Sequence, residues 1–197
     1  MAKRYLLTND RSLSSVTIGG LNIVANIVAI IGTMTIDIRD AVPADLPAVL
    51  SLNEAAVPHV NSISLEQMAD FHEHAAYLRV ATVDGVIAAF LVGLTSGADY
   101  GSPNFRWFCR NYAEFGYIDR VAVAESARRL GLASALYDDF ERHFDGRVPI
   151  LTCEVNLRPA NAASMAFHLR RGFARVGSQE IDNGVKEVAM LVKELGR

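Results

Sequence analysis

The sequence is short of cysteine, of tryptophan and of surplus positive charge, and each shortage excludes something. Two cysteines, Cys109 and Cys153, are too few for a disulfide framework and read as reduced structural thiols of a cytoplasmic protein. Against 22 Asp and Glu there are 19 Lys and Arg, a formal charge of −3, which offers no general basic field to nucleic acid. His72 and His74 lie in "HEH" with His59 upstream. Positions two apart on a helix face different ways, and no thiolate or third ligand stands at a recognised spacing, so no metal is expected. Repeats and low-complexity tracts are also missing. What remains is 197 residues, 51% hydrophobic and 21% charged, enough for one compact domain with a sizeable core.

Charge is also missing between Arg11 and Asp37, where "LNIVANIVAIIGTMT" is rich in Ile and Val. No A-x-A-like cleavage site follows it, which argues against a signal peptide. Asn22, Asn26 and the Gly19-Gly20 pair interrupt it, and its apolar core is shorter than the roughly 20 residues of a membrane span. Residues 1–33 are therefore expected to be an extension outside the fold, with 34–197 a single domain. A membrane-associated segment and an extra edge strand remain alternatives, since Ile and Val suit strands.

From Met34 onward, strand and helix patterns alternate. "TIDIRDA" (35–41) alternates apolar and polar residues, as a half-buried strand does. "PADLPAVLSLNEAA" (43–56) puts proline at a helix start, and Ser64 with Gln67 forms a capping-box pattern. Asp84-Gly85 between "YLRVATV" and "VIAAFLVGL" is a hairpin signal. "TSGADYGSPNFRWFCRNYAEFG" reads as a long loop with about one helical turn. Then come a strand "YIDRVAVA", a helix "GLASALYDDFERHF", a strand "ILTCEVNL", and a short helix "NAASMAFHLRRG" closed by Gly172. "FARVGSQEI" and "KEVAMLVKEL" would form a last antiparallel pair, whose exposed edge would invite a second copy and a homodimer. The class is α/β, one sheet with helices on its faces.

The junction "ARRLGLAS" (127–134) joins a strand to a helix. A helix that starts after a tight small-residue turn aims unpaired N–H groups and partial positive charge at one spot, a corner suited to phosphate. Gly131 and Ala133 let an anion approach the backbone, and Arg128 and Arg129 supply charge at the rim. An ordinary corner with solvated arginines is the alternative.

Arg128-x-x-Gly131-x-Ala133 after "YIDRVAV" resembles the signature of the GCN5-related N-acetyltransferase (GNAT) superfamily. "EVNLRPANAASMAFHLRRGF" is similar to that family's second block, with Asn161, Ser164, Phe167 and Gly172-Phe173 at matching places. Within the family the chain looks most like a group of predicted acetyltransferases sharing "NEAAVP" and DY-x-SPN-x-RWF, a likeness that brings no known substrate. The resemblance implies the acyl-CoA N-acyltransferase fold: a mixed, mostly antiparallel sheet of about seven strands, about four helices on its faces, and splayed central strands holding the cofactor. It implies acetyl-CoA as co-substrate, its pyrophosphate on the amides of Arg129, Leu130, Gly131, Leu132, Ala133 and Ser134. Its pantetheine would lie along Val121, Ala122 and Val123, with Asn156 and Asn161 as hydrogen-bond partners.

Direct transfer to an amine acceptor leaves two proton tasks: one proton leaves the ammonium, and one can reach the departing thiolate. Where the family offers Tyr for the second task, this chain has His168, read as a general acid or as packing against the cofactor. Asp119 and Glu154 are the candidate bases, with Asp119 favoured and placed on the face of Val121 by alternation. The alternatives are an ion pair of Asp119 with an arginine such as Arg120 or Arg158, and a solvated Glu154. Asn53, Glu54, Tyr100, Trp107 and Tyr117 are expected at the acceptor, with Glu54 recognising an ammonium and the aromatics forming a wall. The acceptor is expected to be a small-molecule or amino-acid-like amine. A protein N-terminus or lysine, and a non-catalytic acyl-CoA-binding module, are the competing readings.

Overall fold

The computed structural model describes residues 3–6 and 34–196. Its strands are β1 (Lys3–Leu6), β2 (Thr35–Asp40), β3 (Tyr77–Val83), β4 (Val86–Thr95), β5 (Gly116–Val123), β6 (Ile150–Arg158), β7 (Ala174–Ile181) and β8 (Lys186–Glu194). Its helices are α1 (Leu46–Ala55), α2 (Leu65–His74), α3 (Pro103–Asn111), α4 (Leu132–Phe144) and α5 (Ala162–Arg170). One sheet runs β1-β2-β3-β4-β5-β6-β8-β7. Every neighbouring pair is antiparallel except β5 and β6. Apart from Lys3–Leu6, which pairs with β2, the expectation for residues 1–33 lies outside the described residues.

Local chemistry explains most of the elements. Ser64 accepts from the Gln67 N–H at 3.2 Å while the Gln67 side chain accepts from the Ser64 N–H at 2.9 Å, and α2 begins there. Asp84 and Gly85 both take positive φ, as the two-residue hairpin between β3 and β4 requires. α3 is a full helix where one turn was expected: Pro103 opens it and Ser102 Oγ caps the Phe105 N–H at 3.4 Å.

Each face of the sheet buries its own core. Against one face α4 places Leu132, Leu136, Tyr137, Phe140 and Phe144. Buried Asp139 fixes that helix to β3, accepting from Tyr77 at 3.1 Å and from Arg79. A Cβ at Gly93 would stand 2.2 Å from the Phe140 ring, so glycine is needed for α4 to lie this close to β4. The other face carries Val49, Met68, Phe71, Phe105 and Phe108 from α1, α2 and α3.

Two irregularities shape the middle of the sheet. Val92 faces Arg120 while Gly93 faces Ile118, so Asp119 is the extra residue of a β-bulge. The bulge breaks the alternation that had put Asp119 and Val121 on one face. Arg120 now joins Tyr117 on the α1–α3 side, while Val121 packs with Ile118 on the α4 side. The parallel pairing of β5 and β6 covers only Gly116–Leu151 and Tyr117–Thr152, and beyond it the strands part.

Candidate active site

A cavity of about 700 Å³ opens where β5 and β6 part. Ile118–Val121 line it from β5 and Cys153–Asn156 from β6. Consecutive residues of β6 point to opposite sides of the sheet. Cys153 packs on the α4 side, with Tyr137, Ser164 and His168 lining the cavity there. Glu154 points to the α1–α3 side, with Tyr100, Ser102 and Asn104 nearby.

Glu154 is held by donors and has no cation of its own. Tyr117 donates to its two oxygens, at 2.8 and 3.0 Å, and the Asn104 amide donates at 3.0 Å. Burial is the main cause that pushes its pKa up to about 7, and the Asp119 charge adds to it. The two donors oppose that rise without cancelling it. The result is a carboxylate that titrates near neutrality inside a cavity.

Asp119 is engaged elsewhere. The Arg120 Nε donates to it at 2.6 Å, and both side chains are at least 94% buried. Tyr100 shares in this pair through its hydroxyl. Arg120 also donates to Asn53 Oδ1 at 3.0 Å and lies over the Phe71 ring. The ion-pair alternative is thus the arrangement found.

His168 is buried, and both ring nitrogens are used. Nδ1 lies 2.8 Å from the Ser164 carbonyl oxygen, which can only accept, so Nδ1 carries the proton. Burial lowers its pKa and keeps the ring neutral, so Nε2 accepts from the Tyr137 hydroxyl at 2.7 Å. The ring packs edge-on against Tyr137, Phe167 and Phe173.

The expected phosphate turn is open. Arg129 and Gly131 both have positive φ, Gly131 stands at the N-terminus of α4, and nothing lies within 4 Å of a Cβ built there. Leu132, Ala133 and Ser134 form the first turn, whose N–H groups have no partner within the helix. Arg128 and Arg129 are exposed at the rim. Among the other residues expected at the cofactor, Val121, Asn156, Asn161, Ser164 and His168 line the cavity. Asn161 also caps α5, accepting from the Ser164 N–H at 3.1 Å.

Most residues expected at the acceptor stand away from this cavity. Of the residues named for it, only Tyr100 lines the cavity. Glu54 is tied to Ser62 Oγ at 2.6 Å and the Ile63 N–H at 3.1 Å, and Asn53 is buried between Arg120 and the carbonyl of Asn61. Trp107 packs over Gly177, and Tyr117 sits fully buried beneath Glu154. The cavity is lined on this side by Asn104, Gln179, Asp182, Asn183 and Lys186, with His59 and Asn61. Lys186 reaches Asn61 Oδ1 at 3.5 Å and joins the β7–β8 hairpin to the loop after α1. Only the amphoteric character of the carboxamides in the sequence could have pointed to these positions.

The sheet order and the parted central strands are those of the fold that the two sequence blocks imply. A model of the Acetyltransferase (GNAT) family matches residues 46–173. The chain belongs to the GNAT acetyltransferase family. That family uses acetyl-CoA and carries acyltransferase activity. Solved structures share the GNAT fold at low identity. Ard1 from Thermoplasma volcanium is 19% identical with a TM-score of 0.67, over 82% of this chain and 99% of that one. The ribosomal-protein-S18-alanine N-acetyltransferase from Escherichia coli is 19% identical with a TM-score of 0.64, over 82% and 95%. A protein provisionally assigned as a phosphinothricin N-acetyltransferase is 23% identical with a TM-score of 0.62, over 82% and 99%. No curated protein matches the chain. Among the described residues no group of His, Cys, Asp or Glu is arranged to hold a metal, and no helix is long and apolar enough to cross a membrane.

Proposed function

We propose that this GNAT protein is an acetyl-CoA-dependent N-acetyltransferase that acetylates the primary amine of a small, polar, amino-acid-like acceptor by direct transfer, with Glu154 as base. The observation that carries the reading is the placement of Glu154, a carboxylate held by Tyr117 and Asn104 in the cavity between the parted strands, where burial pushes its pKa up to about 7. The co-substrate supplies the acetyl thioester. The turn from Arg129 to Ser134 fits its phosphates, because amides converge there and no side chain blocks them. The open edges of β5 and β6 beyond Tyr117 and Thr152 fit an extended amide-bearing arm, added as a strand is added to a sheet.

Glu154 takes a proton from the acceptor ammonium, directly or through a water. An α-amino group, with a pKa of about 8, gives that proton up at little cost to a base of about 7, and a lysine amine near 10.4 does so far less readily. The cavity walls support the same acceptor class. Asn104, Gln179 and Asn183 both donate and accept, and Lys186, paired with Asp182 at 3.0 Å, gives this wall a polar ion pair. The Lys186–Asn61 contact ties the β7–β8 hairpin to the loop after α1 beside the cavity, and a small molecule fits such a walled space better than a protein chain. On the far side, His168 holds its only proton on Ser164 and serves as an anchor for Tyr137.

The first test is calorimetric titration of the full chain with acetyl-CoA, with NADH and ATP as controls. Selective binding is expected, and Gly131→Glu should weaken it by about 100-fold or more, since a charged side chain enters the phosphate turn. An unchanged Kd in a folded variant overturns the turn assignment. A screen of amines by thiol release then follows. Amino acids and amino-acid amides should lead it, with kcat/KM rising through about pH 7 as Glu154 loses its proton.

A further inference from the structure

Gln179 and Asn104 stand 75 residues apart, yet they meet beside the base. Gln179 Nε2 donates to Asn104 Oδ1 at 2.9 Å, and Asn104 Nδ2 donates to Glu154 Oε1 at 3.0 Å. We propose that Asn104 and Gln179 are positioning residues of acetyl transfer: their carboxamides tie the Glu154 carboxylate to the β7–β8 hairpin above the acceptor. The proposal rests on Glu154 being the base.

The direction of the bonds carries the argument. A carboxamide has one donating and one accepting end. The ionised Glu154 carboxylate only accepts, so Asn104 turns its NH₂ to Glu154 and its oxygen to β7, where Gln179 Nε2 donates to it. Turned the other way, Asn104 would set oxygen against carboxylate. With its NH₂ on that oxygen, Gln179 holds Asn104 in the orientation that supports the ionised form of the base. Asn104 is 6% exposed, in a helix held to β7 a second time where Trp107 covers Gly177. Three residues after Gln179 the hairpin turn begins; its Asp182, Asn183 and Gly184 line the cavity, and Lys186 reaches Asn61. A continuous set of contacts thus runs from the acceptor's cover to the base.

The other groups facing Glu154 do not duplicate this. Asp119 on β5 opposes its ionisation, and Arg120 is spent on Asp119 and Asn53. Tyr117 donates from below, while Tyr100 and Cys153 bring no charge. Tyr137 lies across the sheet, and β8 presents Val188 and Met190. Glu180, paired with Arg158, and Asp182, paired with Lys186, share the cavity.

The test needs no acceptor. The full chain is labelled with glutamate carrying 13C at Cδ, and Glu154 is titrated from pH 4 to 9, with Glu154→Gln assigning its signal. The wild type should titrate near 7. Asn104→Leu should raise that value by about one unit or more, because a hydrogen bond to the charged form is lost. Gln179→Leu should raise it by about half a unit, because Asn104 is freed to turn. Gln179 sits half-exposed on β7, so its variant should fold even where Asn104→Leu does not. An unmoved Glu154 signal in a folded Gln179→Leu protein, with the wild type near 7, overturns the positioning role and leaves the base intact. A wild-type Glu154 that titrates in the ordinary carboxylate range overturns both.

Discussion

Cys153 and Glu154 are neighbours in β6 and live in opposite chemistries. On the α4 side, Cys153, Tyr137 and His168 are each held in their uncharged forms by burial. The His168 ring is satisfied at both nitrogens and wrapped by aromatic rings. On the α1–α3 side, one carboxylate sits with two neutral donors, a nearby like charge and no cation of its own. Burial acts on both faces, but it silences one and poises the other. The cavity touches both faces, and the difference is the donors that keep the charged form of Glu154 within reach at neutral pH.

The strongest way to break this contrast is Glu154→Gln. It keeps the shape and removes the titration. Loss of a general base should lower kcat/KM by about 100-fold or more and remove the limb near pH 7. Stability should move the other way. Glu154 has a raised pKa in the folded state, so the fold holds a proton that the unfolded chain releases between the ordinary carboxylate value and about 7. Wild-type stability therefore falls as pH rises through that window. The variant should melt several degrees above wild type at pH 8 and lose that advantage near pH 4. Thermal unfolding at the two pH values reads this directly, and equal shifts at both would show that Glu154 is not perturbed.

Asp119→Asn sharpens the contrast from the next strand. It removes the like charge that raises Glu154 and leaves the buried Arg120 without its anion. The pH limb of kcat/KM should move down. Stability should fall by about 3 kcal/mol, because an uncompensated buried cation remains. If Asp119 were itself the base, activity would drop as far as in Glu154→Gln. If it is the partner of Arg120, most activity survives in the folded fraction. Chemical denaturation together with the pH profile separates the two.

These two carboxylates also show what the sequence could convey. Both were readable as candidates, because a carboxylate in a central strand beside a phosphate turn is a small set. Their ranking was not, because it depended on the bulge. Alternation counts residues by two, and a bulge adds one without any mark in "YIDRVAV". Signals that act over a few residues survived: the Ser64–Gln67 box, the Asp84-Gly85 hairpin and the turn at Gly131. α3 was hidden because Ser102, Pro103 and Asn104 read as loop, although the first two are helix-start residues. Glu54 looked free to meet an ammonium, since nothing in "NEAAVP" shows that Ser62 and Ile63 fold back onto it. The cavity wall was least legible of all. Asn104, Gln179 and Lys186 come from three distant segments, and only the sheet order brings them together.

His168→Phe probes the silent face and should have the smallest effect on activity. The ring would keep its packing against Phe167 and Phe173 and lose both hydrogen bonds. Tyr137, which is fully buried, would be left with an unpartnered hydroxyl, and Ser164 would lose a donor to its carbonyl. That should cost about 1–3 kcal/mol of stability. With the imidazole neutral and its proton held on the Ser164 carbonyl, kcat should fall by less than about threefold once the folded fraction is equalised. A loss of tenfold or more with unchanged acetyl-CoA affinity would place a proton donor on this face. The two faces would then share the chemistry, and the division between a silent side and a poised side would fail. Removing Tyr137's hydroxyl as well, in His168→Phe with Tyr137→Phe, decides the cause of the instability. If the orphaned hydroxyl is responsible, the double variant should recover most of the lost stability, because replacing both partners of a buried bond with apolar groups removes the uncompensated polar atom.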